Sequence, residues 1–148
     1  MRALTLKPHW AYAIAHMGKR IENRSRPIPP ALIGQRIAIH AGATLPKGWV
    51  LEIAECDPGP NPNLRAEDIT TRAIVATAVL EGCCTPDDFA GCSDILGVSH
   101  PPWAMRDAAW WWRLTDVRVL RRVVPVQRGQ LGLWRLDAET EREVRDAE

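Results

Sequence analysis

"HWAYAIAHMGKRIENRSRP" occupies residues 9–27, and its reading sets the fold. A mostly apolar run gives way, across the single Gly18, to Lys19, Arg20, Glu22 and Arg24. Trp10, Ala13, Ile14 and Met17 recur at helical spacing, which predicts an amphipathic helix over 9–17. Pro8 suits its first turn, because the missing N–H is one that a helix start leaves unpaired anyway. Gly18 suits the left-handed position that closes a helix. "KRIENR" is too short for a second helix, and the following "RPIPP" forbids one. The spacing therefore predicts a strand over 19–24. On such a strand Arg20, Glu22 and Arg24 share one face and would form an ion-pair ladder. The alternatives for this cluster are a solvated charged face and the polar wall of a ligand cleft.

Further strands are expected on both sides of this stretch. "ALTL" (3–6) precedes it, and "QRIAIHA" (35–41) follows with alternating Ile37 and Ile39. "TRAIVATAVLEGC" (71–83) is rich in β-branched residues and reads as a long central strand. "AWWWRLTDVRVL" (109–120) and "RRVVPVQ" (121–127) read as two more, and "LWRL" (133–136) closes the sheet. "PKGWVLEI" opens a short helix, "CDPGPNPN" (56–63) is a loop, and "LRAEDI" holds one or two helical turns. "TPDDF" carries a Thr-Pro helix-start signal. Residues 137–148 form a charged helix capped by Asp137. The expected fold class is α+β: a small, partly open β-barrel of five or six strands with flanking short helices, as one domain over 1–148.

Composition narrows the function. The 148 residues are 46% hydrophobic, enough for a core and against disorder. Nineteen basic and eighteen acidic residues leave a net charge of +1, which excludes a uniformly basic coat but not a local basic patch. No apolar run reaches the roughly 20 residues of a membrane span. The first residues hold no signal-peptide core, so a cytoplasmic location is expected. The four cysteines, Cys56, Cys83, Cys84 and Cys92, are expected as reduced thiols in that compartment. Cys83, Cys84, Cys92 and His100 match no zinc spacing, so no metal site is expected.

Four blocks, in order, resemble the ASCH domain, the activating-signal-cointegrator homology domain of the PUA-like superfold. The first is "LTLKPHWAYAIAHMGKRIENRSRP", with Trp10-Ala11 followed by Gly18, Lys19, Glu22 and Arg24. The others are "RIAIHAG" (36–42), "AIVATAVLEGC" (73–83) with Ala76 where glycine is usual, and "WWWRLTDVRVLRRVVPVQRGQLGLWRL" (110–136). His9 stands where proline is common before the Trp, and Arg26 where an aromatic often follows the Glu-x-Arg motif. The resemblance implies a PUA-like half-open barrel with a cleft between barrel and helix. It implies RNA or a modified nucleotide as ligand and no cofactor. Some members of the family are enzymes: ribonucleases, or amidohydrolases of acetylated cytidine nucleosides. That second class resembles Lys-x-x-Thr at this motif; Lys19 matches, but Glu22 replaces the threonine and Ser25 is the nearest hydroxyl.

The candidate ligand-binding residues are Trp10, Lys19, Glu22, Arg24, His40, Trp103, Arg121 and Arg128. Lys19 would hold a phosphate, or act as base or nucleophile; at a helix end it is also favoured by the macrodipole alone. Glu22 would accept from a base's exocyclic amine or serve as acid or base, making Lys19 and Glu22 the catalytic pair of any enzyme reading. Trp10 is a core residue or a stacking wall. His40 ends a strand, where a satisfied structural role competes with a functional one. Trp103 in the Pro-rich "HPPWAM" is the candidate exposed aromatic. Arg118, Arg121, Arg122 and Arg128 crowd one segment, either to bind phosphates or to guard a sheet edge. Three functions follow: a module for RNA, single-stranded nucleic acid or a nucleotide; a metal-independent hydrolase; or a protein-interaction domain using tryptophans around Trp103. The oligomeric state is left open.

Overall fold

The computed structural model describes residues 1–56, 61–88 and 102–148. Six strands form one mixed sheet: β1 (Arg2–Leu6), β2 (Ile21–Arg24), β3 (Arg36–Ala41), β4 (Ala73–Cys84), β5 (Trp110–Pro125) and β6 (Leu133–Arg135). Their spatial order is β2-β5-β4-β3-β1-β6. Among these described strands only β1 and β3 pair in parallel; the chain returns between them through helix α1 (Pro8–His16) and β2. Helix α2 spans Trp49–Ala54 and helix α3 spans Ala138–Ala147. The sheet curls into a half-barrel, the α+β architecture expected. None of the described helices is long and apolar enough to cross a membrane.

The curl has a local cause. Register shifts interrupt β3–β4 once and β4–β5 three times, and each bulge bends its strand and adds twist. At one of them Asp116 takes a left-handed φ of 42°, and its carboxylate pairs with Arg36 and Arg118. One side of the sheet buries Leu4, Ile14, Ile37, Ile39, Leu80 and Leu114 in the largest core cluster. On the other side α3 packs Val144 and Ala147 against Ala38, Leu120 and Trp134.

Several expectations are corrected. Residues 109–120 and 121–127 are not two strands but one, β5, of 16 residues. Strand β2 covers only its first four residues, Trp110–Arg113, so the rest of β5 has no strand partner on that side among the described residues. The charges of Arg118, Arg121 and Arg122 fall on that open stretch, where charge discourages edge-to-edge pairing. "LRAEDI" holds one helical turn, within the one or two expected, in 3₁₀ form at Ala66–Asp68. Thr85–Asp88 forms a turn, and the remainder of the predicted "TPDDF" helix lies outside the described residues, as do Cys92, His100 and part of the 56–63 loop. Cys84 is disulfide-bonded rather than a reduced thiol, while Cys56 and Cys83 are free.

His40 anchors the closing turn. Its Nε2 lies 2.9 Å from the Val126 carbonyl and must donate there, which leaves Nδ1 to accept from the Thr5 hydroxyl at 3.2 Å. Trp134 Nε1 donates to the same Thr5 oxygen at 3.0 Å. Gly129 is pressed onto this pair: a Cβ there would overlap Thr5 Oγ1 and lie 2.6 Å from His40 Nδ1. Gly129→Ala is therefore expected to cost about 1–3 kcal/mol through overpacking. Urea unfolding should show a lowered midpoint at unchanged slope; a midpoint equal to wild type would mean the turn yields freely.

Candidate functional site

The site begins at the end of α1. Gly18 takes φ 70°, and the Lys19 N–H turns back to the Ala13 carbonyl at 3.1 Å. This fixes the Lys19 backbone beneath the helix, and the residue, only 1% exposed, sends its side chain inward. Lys19 Nζ donates to Glu22 Oε2 at 3.0 Å and to the carbonyl of Ile21. It also lies 5.6 Å from the centroid of the Trp10 ring. Glu22 is itself 5% exposed. Its second oxygen, Oε1, is 3.8 Å from an Arg24 nitrogen. Arg24 in turn spreads over the Trp112 ring at 5.6 Å.

A cleft of about 300 Å³ opens over this pair. Trp10, Lys19, Glu22 and Arg24 all line it, so four of the predicted residues converge on one site. Trp10 forms a half-buried wall, backed edge-on by Trp103 at 6.3 Å between centroids. An ammonium and a carboxylate thus share the floor, an aromatic face stands at one side, and a guanidinium stands beside the carboxylate. Such a set can stack a planar ring, accept from an exocyclic amine and meet an anion.

The other predicted residues lie elsewhere. Arg20 is not part of a ladder: it precedes β2, and its guanidinium donates to the carbonyls of Ile14 and Lys19. His40 belongs to the closing-turn network described above, with no exposed face. Trp103 is not an exposed aromatic. It is 5% accessible, with a left-handed φ of 72°. The Asn23 amide donates to the Trp103 carbonyl at 2.9 Å, and its oxygen accepts from the Met105 N–H at 2.9 Å. This pins the loop against the sheet and buries the ring. Arg121 is exposed on β5 and donates to the Asp146 carbonyl, and Arg128 is exposed in the turn after β5; neither lines the cleft.

Sequence reasoning missed Thr5, Lys7, Asn23 and Met105, which also line the cleft. Met105 reaches it through Asn23, a pairing across 82 residues that leaves no local pattern. It also missed Glu52 of α2, which takes Lys7 Nζ at 3.0 Å and His9 Nε2 at 3.0 Å, tying α2 to the start of α1. His9 is fully buried, and its Nδ1 has no partner among the described residues. Those residues hold no cluster of three or more His, Cys, Asp or Glu side chains able to bind a metal.

Burial pushes the imidazoles of both His9 and His40 below the usual value of 6.5; the Glu52 bond only partly offsets this at His9, and the Val126 bond at His40. The unfolded chain then binds protons that the folded chain does not. Stability is full above about pH 6.5 and falls as pH drops through that value toward the lower folded values. Denaturant midpoints measured from about pH 7.5 down to about pH 5.5 should decline, and His9→Gln should flatten the decline. A flat wild-type profile would contradict neutral burial.

No protein-family signature and no curated protein matches the chain by sequence. Solved structures do match. The crystal structure of ASCH from Zymomonas mobilis superposes with a TM-score of 0.55 at 18% identity, covering 98% of this chain and 93% of that one. A tyrosine-to-phenylalanine variant of that protein gives 0.55 at 19% identity, over 98% and 96% of the two chains. A serine-to-alanine variant gives 0.53 at 19%, over 98% and 94%. The chain therefore has the ASCH-like fold that its motifs resemble.

Proposed function

We propose that the protein is a recognition module for single-stranded nucleic acid, RNA foremost, that seats one nucleotide in the cleft between α1 and β2. The observation that carries this is the buried Lys19–Glu22 pair set beside the face of Trp10. Trp10 would stack the base, Glu22 would accept from its edge, and Arg24 would meet the phosphate. The ASCH-like fold supports the setting, since resemblance to the ASCH family implies RNA or a modified nucleotide as ligand.

The hydrolase alternative is disfavoured by the same geometry. Two of the three N–H donors on Lys19 Nζ are already committed, to Glu22 and to Ile21. The hydroxyl that lines the cleft is Thr5, covered by Gly129 and held between Trp134 and His40. Ser25 lines a neighbouring groove instead. The interaction-domain alternative loses its exposed tryptophan, because Trp103 is buried.

Fluorescence anisotropy with a labelled oligoribonucleotide at low salt tests the proposal. Trp10→Leu, which keeps an apolar filler, should lose about 1–3 kcal/mol of binding, the usual worth of one stacked base. Affinity should fall as salt rises. Absence of low-salt binding to RNA and to single-stranded DNA would reject the proposal. Turnover of labelled RNA or acylated cytidine that is abolished by Lys19→Ala would favour the hydrolase instead.

A further inference from the structure

A second groove of about 360 Å³ adjoins the cleft, and Arg24 lines both. Arg2, Arg24 and Arg26 line it, and its described lining holds no acidic side chain. Its floor is apolar, built from Leu32, Trp112 and Leu133. This density of arginine is unusual for a chain with a net charge of only +1. Many of the other arginines are spent on carboxylates: Arg36 and Arg118 on Asp116, Arg113 on Glu81, and Arg145 on Glu141. Arg2 and Arg26 pair with no carboxylate among the described residues. Arg2 donates once, to the Leu133 carbonyl at 3.0 Å, and keeps its remaining donors.

We infer that this groove is a phosphodiester subsite, which takes the nucleotide next to the one in the cleft. The inference rests on the cleft reading and extends it from a lone nucleotide to a strand. A phosphate at Arg24 would be the link between the two. Guanidinium groups suit it, because each can grip a phosphate through two parallel N–H···O bonds. The apolar floor would carry the sugar and base faces without reading their edges, as sequence-tolerant single-strand sites do. An anionic ligand of extended form is required, since one small anion would leave the apolar floor uncovered.

The test compares a short mixed-sequence oligoribonucleotide with the four ribonucleoside monophosphates, on the wild-type protein and on Arg26→Glu. The Trp112 Nε1 bond goes to the backbone carbonyl of residue 26 at 2.8 Å, so exchange of this exposed side chain leaves it in place. A thermal melt of each variant checks the fold. The wild type should bind the oligomer more tightly than any monophosphate. Arg26→Glu should weaken the oligomer by about tenfold or more and lower its log–log salt slope by about 0.7, the single-strand value for one lost phosphate contact. Monophosphate binding should be unchanged. Equal oligomer affinity in wild type and variant, with monophosphates still bound, would overturn the subsite and leave the cleft reading intact. Failure of both probes on the wild type would overturn the cleft reading, and the subsite with it. Displacement of the oligomer by polyglutamate at matched charge would overturn the assignment to nucleic acid.

Discussion

The ion pair between Lys19 and Glu22 is the constraint around which the cleft is built. Both side chains are almost wholly withdrawn from water. Taking two charges out of water costs several kcal/mol each, and mutual attraction offsets this only when the remaining donors and acceptors are also met. Here they are met locally: the Ile21 carbonyl takes a second donor of Lys19, and Arg24 attends the free oxygen of Glu22. Each contact depends on chain geometry set within a few residues. Gly18 must turn left-handed, α1 must stop, and β2 must start at Ile21 so that Glu22 faces inward.

A paired floor behaves differently from an isolated buried lysine. Its donors point in fixed directions, and a ligand meets a rigid pattern of charge rather than a free amine. That geometry suits discrimination by hydrogen bonding. Two polar systems meet at the cleft, where the fold brings Thr5 beside Lys19, Glu22 and Arg24. Thr5, His40 and Trp134 form a closed network under Gly129 that joins β1, β3 and the last turn. Lys19, Glu22 and Arg24 form an open one that borders the cleft. The first is structural; the second has a face to offer.

Much of this was legible in the sequence because it is local. Trp10, Gly18, Lys19, Glu22 and Arg24 lie within 15 consecutive residues, and helical spacing, a capping glycine and strand alternation place them relative to one another. Arg20 departs from the expected ladder because the strand starts two residues later than alternation predicts; β2 begins at Ile21, and Arg20 instead satisfies the carbonyls of Ile14 and Lys19. Trp103 departs from expectation because a Pro-rich loop reads as exposed. Its burial comes from Asn23, 80 residues away, and such a long-range bond has no local signature. The charges of Arg121-Arg122 read as a break between two strands, yet they lie on the stretch that β2 leaves uncovered, and β4 pairs β5 through to Pro125.

Lys19 and Glu22 act as one unit, and a double-mutant cycle on unfolding free energy measures their coupling. Lys19→Met and Glu22→Leu each leave a buried charge short of its partner, at a cost of about 3–5 kcal/mol where no other ion takes over. Because Arg24 remains near Glu22, the lysine substitution should cost less than the glutamate one. The double variant should lose at least about 1 kcal/mol less than the sum of the two. Strictly additive losses would mean that the two side chains occupy the floor of the cleft without depending on each other, and that no such unit exists.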